Sequence, residues 1–183
     1  MSEQEKSLSK FLSLILRHKP ETINIALDEN GWANVDELIR QANLHNIPLT
    51  QDSLGRIVTT NDKKRFIFSE DRLKIRANQG HSINIDLQLL EAEPPHLLFH
   101  GTALKNIDSI KAKGLLKGER HHVHLSTDIK TAKSVGGRYG KPIVLGINSG
   151  EMYLSGFKFF QSENAVWLTD HVPPQYLDFD VTD

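Results

Sequence analysis

The spacing of apolar residues changes along the chain, and this change limits the fold more than any other feature. Leu8, Phe11, Leu12 and Ile15 recur at the intervals of one helix face, and Pro20 predicts that this helix ends nearby. After residue 60, short runs of β-branched and aromatic residues alternate with turns, which is typical of strands. The order therefore predicts an α+β protein.

Two more helices and a hairpin complete the first part. Asn34, with Glu37 three residues later, is a good N-cap, and Thr50 is expected to cap a third helix. Strands are predicted at 64–68 and 73–76, separated by the turn 69–71. Three helices followed by a hairpin are the order of a winged-helix domain, which we assign to residues 1–80.

The remaining chain is predicted to form a linker and a second domain. Residues 81–95 include Pro94-Pro95 and show only weak periodicity, so we expect a crossover there and a second domain at 96–183. In this domain the pattern predicts two helices, from Ala103 to Lys113 before the C-cap Gly114 and from Thr127 or Asp128 to Gly136. Strands are expected at 97–102, 122–125, 143–147, 157–160 and 165–168.

Composition excludes several classes of protein. The 183 residues contain no cysteine, which excludes disulfide scaffolds, thiolate zinc sites and cysteine nucleophiles and fits a cytoplasmic protein. The polar start and the interrupted first apolar run predict neither a signal peptide nor a membrane span. Neither a G-x-G-x-x-G fingerprint after a strand nor a P-loop is present, so any nucleotide would bind through another fold.

The stretch from Arg120 to Ser126 combines cationic and apolar positions. Alternation in a strand would place Arg120, His122 and His124 on one face and buried Val123 on the other. The planar guanidinium suits phosphate binding, and the imidazoles can donate, accept or carry protons. An anion site, a histidine metal site and an edge strand with solvated histidines all fit this pattern, although a metal would need a third ligand from elsewhere.

Two basic segments have structural as well as functional explanations. Arg17 and His18 fall at the end of the first helix, where a cation is stabilised by the helix dipole even without a ligand. Residues 63–76 carry six basic and two acidic side chains although the whole chain has a net charge of −1. This strip could contact a phosphate backbone or could be a solvated hairpin.

Six motifs, in order over nearly the whole chain, resemble the RNA 2′-phosphotransferases of the Tpt1/KptA family. They are Leu16-Arg17-His18-Lys19-Pro20, Lys64-Arg65-Phe66, Ile75-Arg76-Ala77-Asn78-Gln79-Gly80-His81-Ser82, His100-Gly101-Thr102, Arg120-x-His122-Val123-His124-Leu125-Ser126 and Gln161-x-Glu163-Asn164-x-Val166-Trp167-Leu168-Thr169. The resemblance implies an N-terminal winged-helix lobe that binds RNA. It also implies a C-terminal lobe of the ADP-ribosyltransferase type, which holds NAD⁺ without a Rossmann fold.

The resemblance also implies the reaction. Such enzymes remove an internal 2′-phosphate from RNA, as at a tRNA splice junction, and consume NAD⁺. The phosphate attacks C1″ of the nicotinamide ribose, and O2″ of the resulting 2′-phospho-ADP-ribosylated RNA then attacks the phosphorus. The products are nicotinamide, 2′-OH RNA and ADP-ribose 1″,2″-cyclic phosphate. The family's catalytic Arg-His-Arg-Arg group corresponds to Arg17, His18, Arg65 and Arg120.

The dinucleotide is expected to lie in the second lobe. His100, Gly101 and Thr102 match the first part of the NAD⁺ site, and one of His122 and His124, with Ser126, should supply the second. Val166 falls where relatives that modify proteins carry a glutamate, and a phosphate nucleophile needs no such base because it is already ionised. The resemblance implies no metal and no membrane partner, and we expect a monomer.

Two other functions remain compatible with these residues. An ADP-ribosyltransferase that acts on terminal phosphates of nucleic acids would use the same NAD⁺ site and stop after the first step. A non-catalytic winged-helix binding module would use only the first lobe, although the four intact catalytic positions argue against it.

Overall fold

The computed structural model describes residues 2–61 and 63–181. The chain forms two compact units, the first extending to Gln88 and the second beginning at Leu89. This boundary falls within the segment 81–95 that separates the two predicted domains. Each unit mixes helices with small antiparallel sheets, so the predicted α+β class is confirmed.

The first unit contains three helices and three short strands. In chain order they are α1 (Glu3–Arg17), β1 (Ala33–Asn34), α2 (Val35–Leu44), α3 (Gln51–Thr60), β2 (Phe66–Phe68) and β3 (Lys74–Ala77).

Side-chain caps set where these helices begin. Ser2 and Glu5 form a reciprocal capping box, so α1 begins several residues before its buried stripe. Asn34 accepts from the Glu37 amide at 2.9 Å, and Thr50 caps α3, which confirms both predicted caps.

A three-stranded sheet closes the core of the first unit. The strand order is β1-β3-β2, with Ala33 opposite Ile75 and Phe66 opposite Ala77. The predicted hairpin is confirmed. Strand β1 adds a third strand to the sheet, which periodicity could not predict because β1 has only two residues. The helices bury an apolar core that includes Leu12, Ile15, Leu16, Leu38, Leu54, Ile57, Phe66 and Ile75.

The second unit contains more strands, most of them short. Its elements are β4 (Leu98–Ala103), α4 (Ile107–Lys113), β5 (Leu115–Leu116), β6 (Val123–Leu125), α5 (Ile129–Gly136), β7 (Pro142–Ile147), α6 (Ser149–Leu154), β8 (Phe160–Gln161), β9 (Trp167–Thr169), β10 (His171–Val172) and β11 (Leu177–Asp178).

These strands form three small antiparallel sheets, with orders β11-β7-β4, β6-β9-β8 and β10-β5. A bridge between Phe99 and Ser126 joins β4 to the end of β6, with amide-to-carbonyl bonds of 2.8 Å in both directions. This bridge connects the two larger sheets. The apolar core beneath them includes Leu98, Val123, Leu125, Leu145, Ile147, Met152, Phe159 and Trp167.

Three element predictions in this unit need correction. The helix predicted from Ala103 begins at Ile107, because Ala103 is the last residue of β4 and a 3-10 turn follows. The strand predicted at 157–160 is confined to Phe160–Gln161. The strand predicted at 165–168 begins at Trp167, because Ala165 closes a turn with Ser162 at a φ of 59°.

The predicted alternation in the Arg120–Ser126 stretch is correct for the strand itself. Val123 and Leu125 are buried, whereas His122 and His124 are half-buried. Arg120 precedes β6 in a bend, so it is not on the strand as predicted.

No helix within residues 2–61 and 63–181 combines the length and apolar character that crossing a bilayer requires.

Candidate active site

In the first unit, Arg17 and His18 are placed by the end of α1. Arg17 is the last helical residue and His18 is the C-cap, whose amide donates to the Leu14 carbonyl at 3.0 Å. The chain then turns away at Lys19, and Pro20 begins a 3-10 helix. The end of the helix thus carries a guanidinium and an imidazole on consecutive residues, and both side chains are half-buried.

Arg65 lies just before β2 and is linked by hydrogen bonds to two helices of this unit. Its Nη1 donates to Asn61 Oδ1 at 3.4 Å, and the amide of buried Asn61 donates to Ser9 Oγ on α1 at 3.2 Å. Because Asn61 is the C-cap of α3, these bonds link Arg65 to both α3 and α1.

The segment 78–82 bonds to the backbone of both Arg65 and Arg17. The Asn78 amide donates to the Arg65 carbonyl at 2.9 Å, and Asn78 Nδ2 donates to the Lys64 carbonyl at 2.6 Å. At the other end, the Ser82 amide donates to the Arg17 carbonyl at 3.0 Å. The structure therefore brings the Arg17-His18 pair and Arg65 to opposite ends of one five-residue segment.

We predict that Asn78→Ala lowers the free energy of unfolding by about 1–3 kcal/mol, because it removes the side-chain donor of the Lys64 carbonyl and empties a buried position. Urea denaturation measures this loss. Asn30→Ala is the matched control, since Asn30 Nδ2 bonds the Asp86 carbonyl where water can replace it, and we expect a change of about 0.5 kcal/mol or less. Equal losses in the two variants would contradict this role for Asn78.

The basic strip of the hairpin is largely engaged within its own unit. Arg72 lies over the Phe68 ring at 5.0 Å, Arg76 lies over the Trp32 ring at 4.6 Å, and Lys74 pairs with Asp28 at 3.0 Å. These contacts favour the structural explanation for the three side chains over a dedicated phosphate surface.

In the second unit, strand pairing brings the predicted dinucleotide residues together. His100 Nδ1 lies 2.9 Å from the His124 carbonyl, directly beside the Phe99–Ser126 bridge. Arg120 Nη1 lies 3.5 Å from His124 Nδ1. His100, Arg120, His124 and Ser126 thus form one continuous group on β4, β6 and the bend before β6.

The contact of His100 fixes which of its nitrogens carries a proton. A carbonyl oxygen can only accept, so Nδ1 of His100 is the protonated nitrogen. Burial lowers the pKa of His100, and the positive charge of Arg120 lowers it further against the opposing effect of the His124 carbonyl. At neutral pH the ring is therefore neutral, and its Nε2 is a hydrogen-bond acceptor.

We predict that the free energy of unfolding falls as the pH drops below about 6.5, the ordinary histidine pKa. Because the pKa of His100 is lower in the folded state, the unfolded chain binds more protons between that lowered value and 6.5, and the contribution is complete above 6.5. The slope from one histidine is at most about 1.4 kcal/mol per pH unit.

Urea denaturation between pH 7.5 and 5.5 checks this pH dependence. His100→Gln keeps a donor for the His124 carbonyl but cannot titrate, so its slope should be smaller than that of the parent chain. His171→Gln removes an exposed imidazole from the same unit and serves as the control. An unchanged slope in His100→Gln would contradict the assignment.

His122 has a different environment from that of His124. Its ring packs against Phe160 with centroids 5.5 Å apart. Partial burial lowers the pKa of His122, opposed by the charge of Asp170 and assisted by His121 and Lys117. His122 is therefore placed by a ring contact, whereas His124 lies between Arg120 and the backbone bond to His100.

Gly101 and Thr102 lie where β4 meets α5. A Cβ at Gly101 would lie 1.6 Å from the Ala132 carbonyl oxygen, and one at Gly136 would lie 2.6 Å from the Thr102 carbonyl oxygen. The absence of both side chains lets the strand and helix backbones touch. Thr102 is buried, and its Oγ1 accepts from Asn106 Nδ2 at 3.2 Å. Gly101 thus has a packing role, and its place in a dinucleotide site stays a prediction.

A surface hollow of about 550 Å³ adjoins Ser126. It is lined by Phe99, Thr127, Asp128, Ile129, Lys130 and Lys133. Ser126 Oγ is held by the Asp128 amide at 3.0 Å, and Asp128 caps α5. Among the residues that the structure describes, no group of three or more His, Asp or Glu side chains is arranged to hold a metal ion.

Three contacting residues, Asn61, Asn78 and Ser82, were not singled out from the sequence as parts of the site. Asn78 and Ser82 fall within one of the six motifs, and this position was their only sequence signal. The sequence around Asn61 indicates only the end of a helix. Its bond to Arg65 could not be predicted, because that bond depends on how the chain folds back.

Comparison with known proteins places these residues in a family. The sequence model described as "RNA 2'-phosphotransferase, Tpt1 / KptA family" matches residues 3–171. A relative from Flavobacterium johnsoniae is 55% identical over 174 residues, covering 95% of this chain and 96% of the relative. One from Acaryochloris marina is 55% identical over 97% of this chain and 98% of the relative, and one from Fusobacterium nucleatum is 52% identical over 97% and 99%.

Each of these three relatives is named "Probable RNA 2'-phosphotransferase". The match spans both compact units and includes every predicted site residue. The chain belongs to the Tpt1/KptA family of RNA 2′-phosphotransferases.

Proposed function

We propose that this protein is an NAD⁺-dependent RNA 2′-phosphotransferase that removes an internal 2′-phosphate from RNA. The observation that carries the proposal is family membership over residues 3–171, with relatives of the same name that are about half identical along nearly their full length. The products are 2′-OH RNA, nicotinamide and ADP-ribose 1″,2″-cyclic phosphate.

The proposal includes a winged-helix lobe followed by an ADP-ribosyltransferase-like lobe. The three helices and the β1-β3-β2 sheet of the first unit support the former. In the second unit, β4 and β6 meet at the Phe99–Ser126 bridge beside a hollow, which supports a ligand-binding role for this edge.

The residues around β4 fit a dinucleotide. Neutral His100 offers Nε2 as an acceptor for a ribose hydroxyl, and Ser126 Oγ is held in place by the Asp128 amide. Phe99 provides an apolar ring in the adjoining hollow, and Lys130 and Lys133 provide positive side chains suited to a pyrophosphate. Bound NAD⁺ supplies an electrophilic C1″ and nicotinamide as the leaving group.

We assign Arg17, Arg65 and Arg120 to the RNA phosphate. The nucleophile is a dianion, and the second step places further charge around a pentacoordinate phosphorus, so fixed guanidinium groups can stabilise the transition state more than the ground state. Hydrogen bonds to charged groups contribute about 1.5–3 kcal/mol each, and orientation can contribute up to about 7–11 kcal/mol. The hydrogen bond from Arg65 to Asn61 supports such preorganisation.

The two steps set the proton balance at the site. In the first, a phosphate oxygen bonds to C1″ and the bond to nicotinamide breaks, which requires no general acid. In the second, O2″ bonds to phosphorus, loses its proton, and the bond to the RNA 2′-oxygen breaks as that oxygen gains one. We assign His18 to this second transfer or to the nicotinamide ribose, since imidazole can carry a proton near neutral pH.

The test is incubation of the protein with an RNA oligonucleotide bearing one internal 2′-phosphate, with and without NAD⁺. We expect conversion to 2′-OH RNA only when NAD⁺ is present, with one nicotinamide released per phosphate removed. The same oligonucleotide with a terminal phosphate in place of the internal one is the control. Phosphate loss without NAD⁺, or no loss with it, would overturn the proposal.

A further inference from the structure

Ser82 makes two hydrogen bonds of different kinds to the end of α1. Its amide donates to the Arg17 carbonyl at 3.0 Å, and its Oγ lies 2.9 Å from Nδ1 of His18. The serine is 64 residues from His18 in the sequence, so the contact depends on the fold. The imidazole is thereby held through one named nitrogen.

We propose that Ser82 is a positioning residue for His18. Its hydroxyl fixes the imidazole through Nδ1, so that Nε2 is the nitrogen that meets the substrate. This proposal rests on the proton-transfer role of His18 given under the proposed function. It adds to that role the group that orients the ring.

The chemistry of a hydroxyl suits a histidine that changes its protonation state. When Nε2 takes up or releases a proton, Nδ1 stays protonated, and Ser82 Oγ can accept from it before and after the transfer. His100 shows a similar arrangement, since its Nδ1 donates to the His124 carbonyl.

The backbone around Ser82 is well fixed although the side chain is exposed. Asn78 and His81 are buried, and Asn78 is bonded to the carbonyls of Lys64 and Arg65. The amide bond from Ser82 to Arg17 involves no side chain, so substitutions at 82 preserve it. Replacing the exposed hydroxyl therefore tests the contact with His18 without emptying a core position.

The first test uses NMR of the ¹⁵N-labelled full chain and reads the two ring nitrogens of His18, assigned with His18→Gln. We expect the parent chain and Ser82→Thr to give one set of His18 nitrogen shifts at neutral pH. Ser82→Ala should shift the Nδ1 signal, because that nitrogen loses its hydrogen-bond partner. Identical His18 signals in the parent chain and Ser82→Ala would overturn the proposal.

The second test measures steady-state turnover of 2′-phosphorylated RNA. Loss of one orienting hydrogen bond should lower kcat of Ser82→Ala about 10-fold, with KM for NAD⁺ changed by no more than about 2-fold. Ser82→Thr, which keeps a hydroxyl, should recover most of the lost kcat. Ser13→Ala is the matched control, because it removes a hydroxyl from α1 that bonds the Ser9 carbonyl, and it should turn over like the parent chain.

Unchanged kcat in Ser82→Ala, or a loss that Ser82→Thr does not recover, would overturn the positioning role. Failure of the proposed function has a different signature, namely no NAD⁺-dependent turnover by the parent chain. The NMR comparison needs no reaction, so it decides whether Ser82 orients His18 in either case.

Discussion

Arg120→Ala should fold normally and lose turnover of 2′-phosphorylated RNA by about 10²–10³-fold, the usual cost of removing a donor to charge that develops in the transition state. Arg120 is exposed in the bend before β6 and lies 3.5 Å from His124 Nδ1, so its removal leaves the core intact. Because charge on phosphorus is largest in the second step, the RNA should accumulate as the 2′-phospho-ADP-ribosylated species. Mass spectrometry of the RNA after a single turnover measures the amount of this intermediate.

Two matched variants separate the guanidinium fork from simple charge. Arg120→Lys keeps the positive charge and loses the bidentate geometry, so we expect it to recover only part of the activity. Lys117→Ala removes a cation from the same turn that lies 3.8 Å from Asp170, and it should turn over like the parent chain. Full activity in Arg120→Ala for both steps would remove Arg120 from the mechanism.

Gly101→Ala should lower the free energy of unfolding by about 3 kcal/mol or more. The added Cβ would lie 1.6 Å from the Ala132 carbonyl oxygen and 2.4 Å from its carbon, which are backbone atoms of α5 and cannot rotate away. The helix must move off β4, the strand that carries His100. Urea denaturation followed by circular dichroism measures the loss.

Gly137→Ala is the control for this glycine. Gly137 has a helical φ of −61°, and the nearest atom to an added Cβ is 3.5 Å away, so we expect a change of about 0.5 kcal/mol or less. If Gly101→Ala unfolds at the same urea concentration as Gly137→Ala, the close contact of β4 with α5 does not determine stability.

The sequence was sufficient for elements whose ends are set by local chemistry. The N-caps Asn34 and Thr50 located α2 and α3, and Gly114 marked the end of α4 with a φ of 75°. Each signal involves residues only a few positions apart, so it does not depend on the rest of the fold.

Elements set by distant contacts were missed or misplaced. The two-residue β1 exists because it pairs with β3, and it is too short to show a period. Phe157, predicted to lie in a strand, instead packs its ring against Tyr176 and His171. Apolar residues alone could not distinguish a strand from a loop that contributes to the core.

In the candidate site, too, local sequence patterns were predictive and contacts between distant residues were not. The family resemblance predicted His100 and Ser126 as site residues, but only the Phe99–Ser126 bridge shows that β4 and β6 are joined. The bond between Ser82 and His18 and the bond that Arg65 donates to Asn61 follow from chain folding, and no spacing rule would predict them.

The fate of the phosphorus atom tests the central claim most directly. An RNA with a ³²P-labelled internal 2′-phosphate is incubated with the protein and NAD⁺, and the labelled products are separated. We predict that the label leaves the RNA and appears in ADP-ribose 1″,2″-cyclic phosphate. Label that stays in the RNA as a stable ADP-ribosylated product, or that appears as inorganic phosphate, would contradict the account.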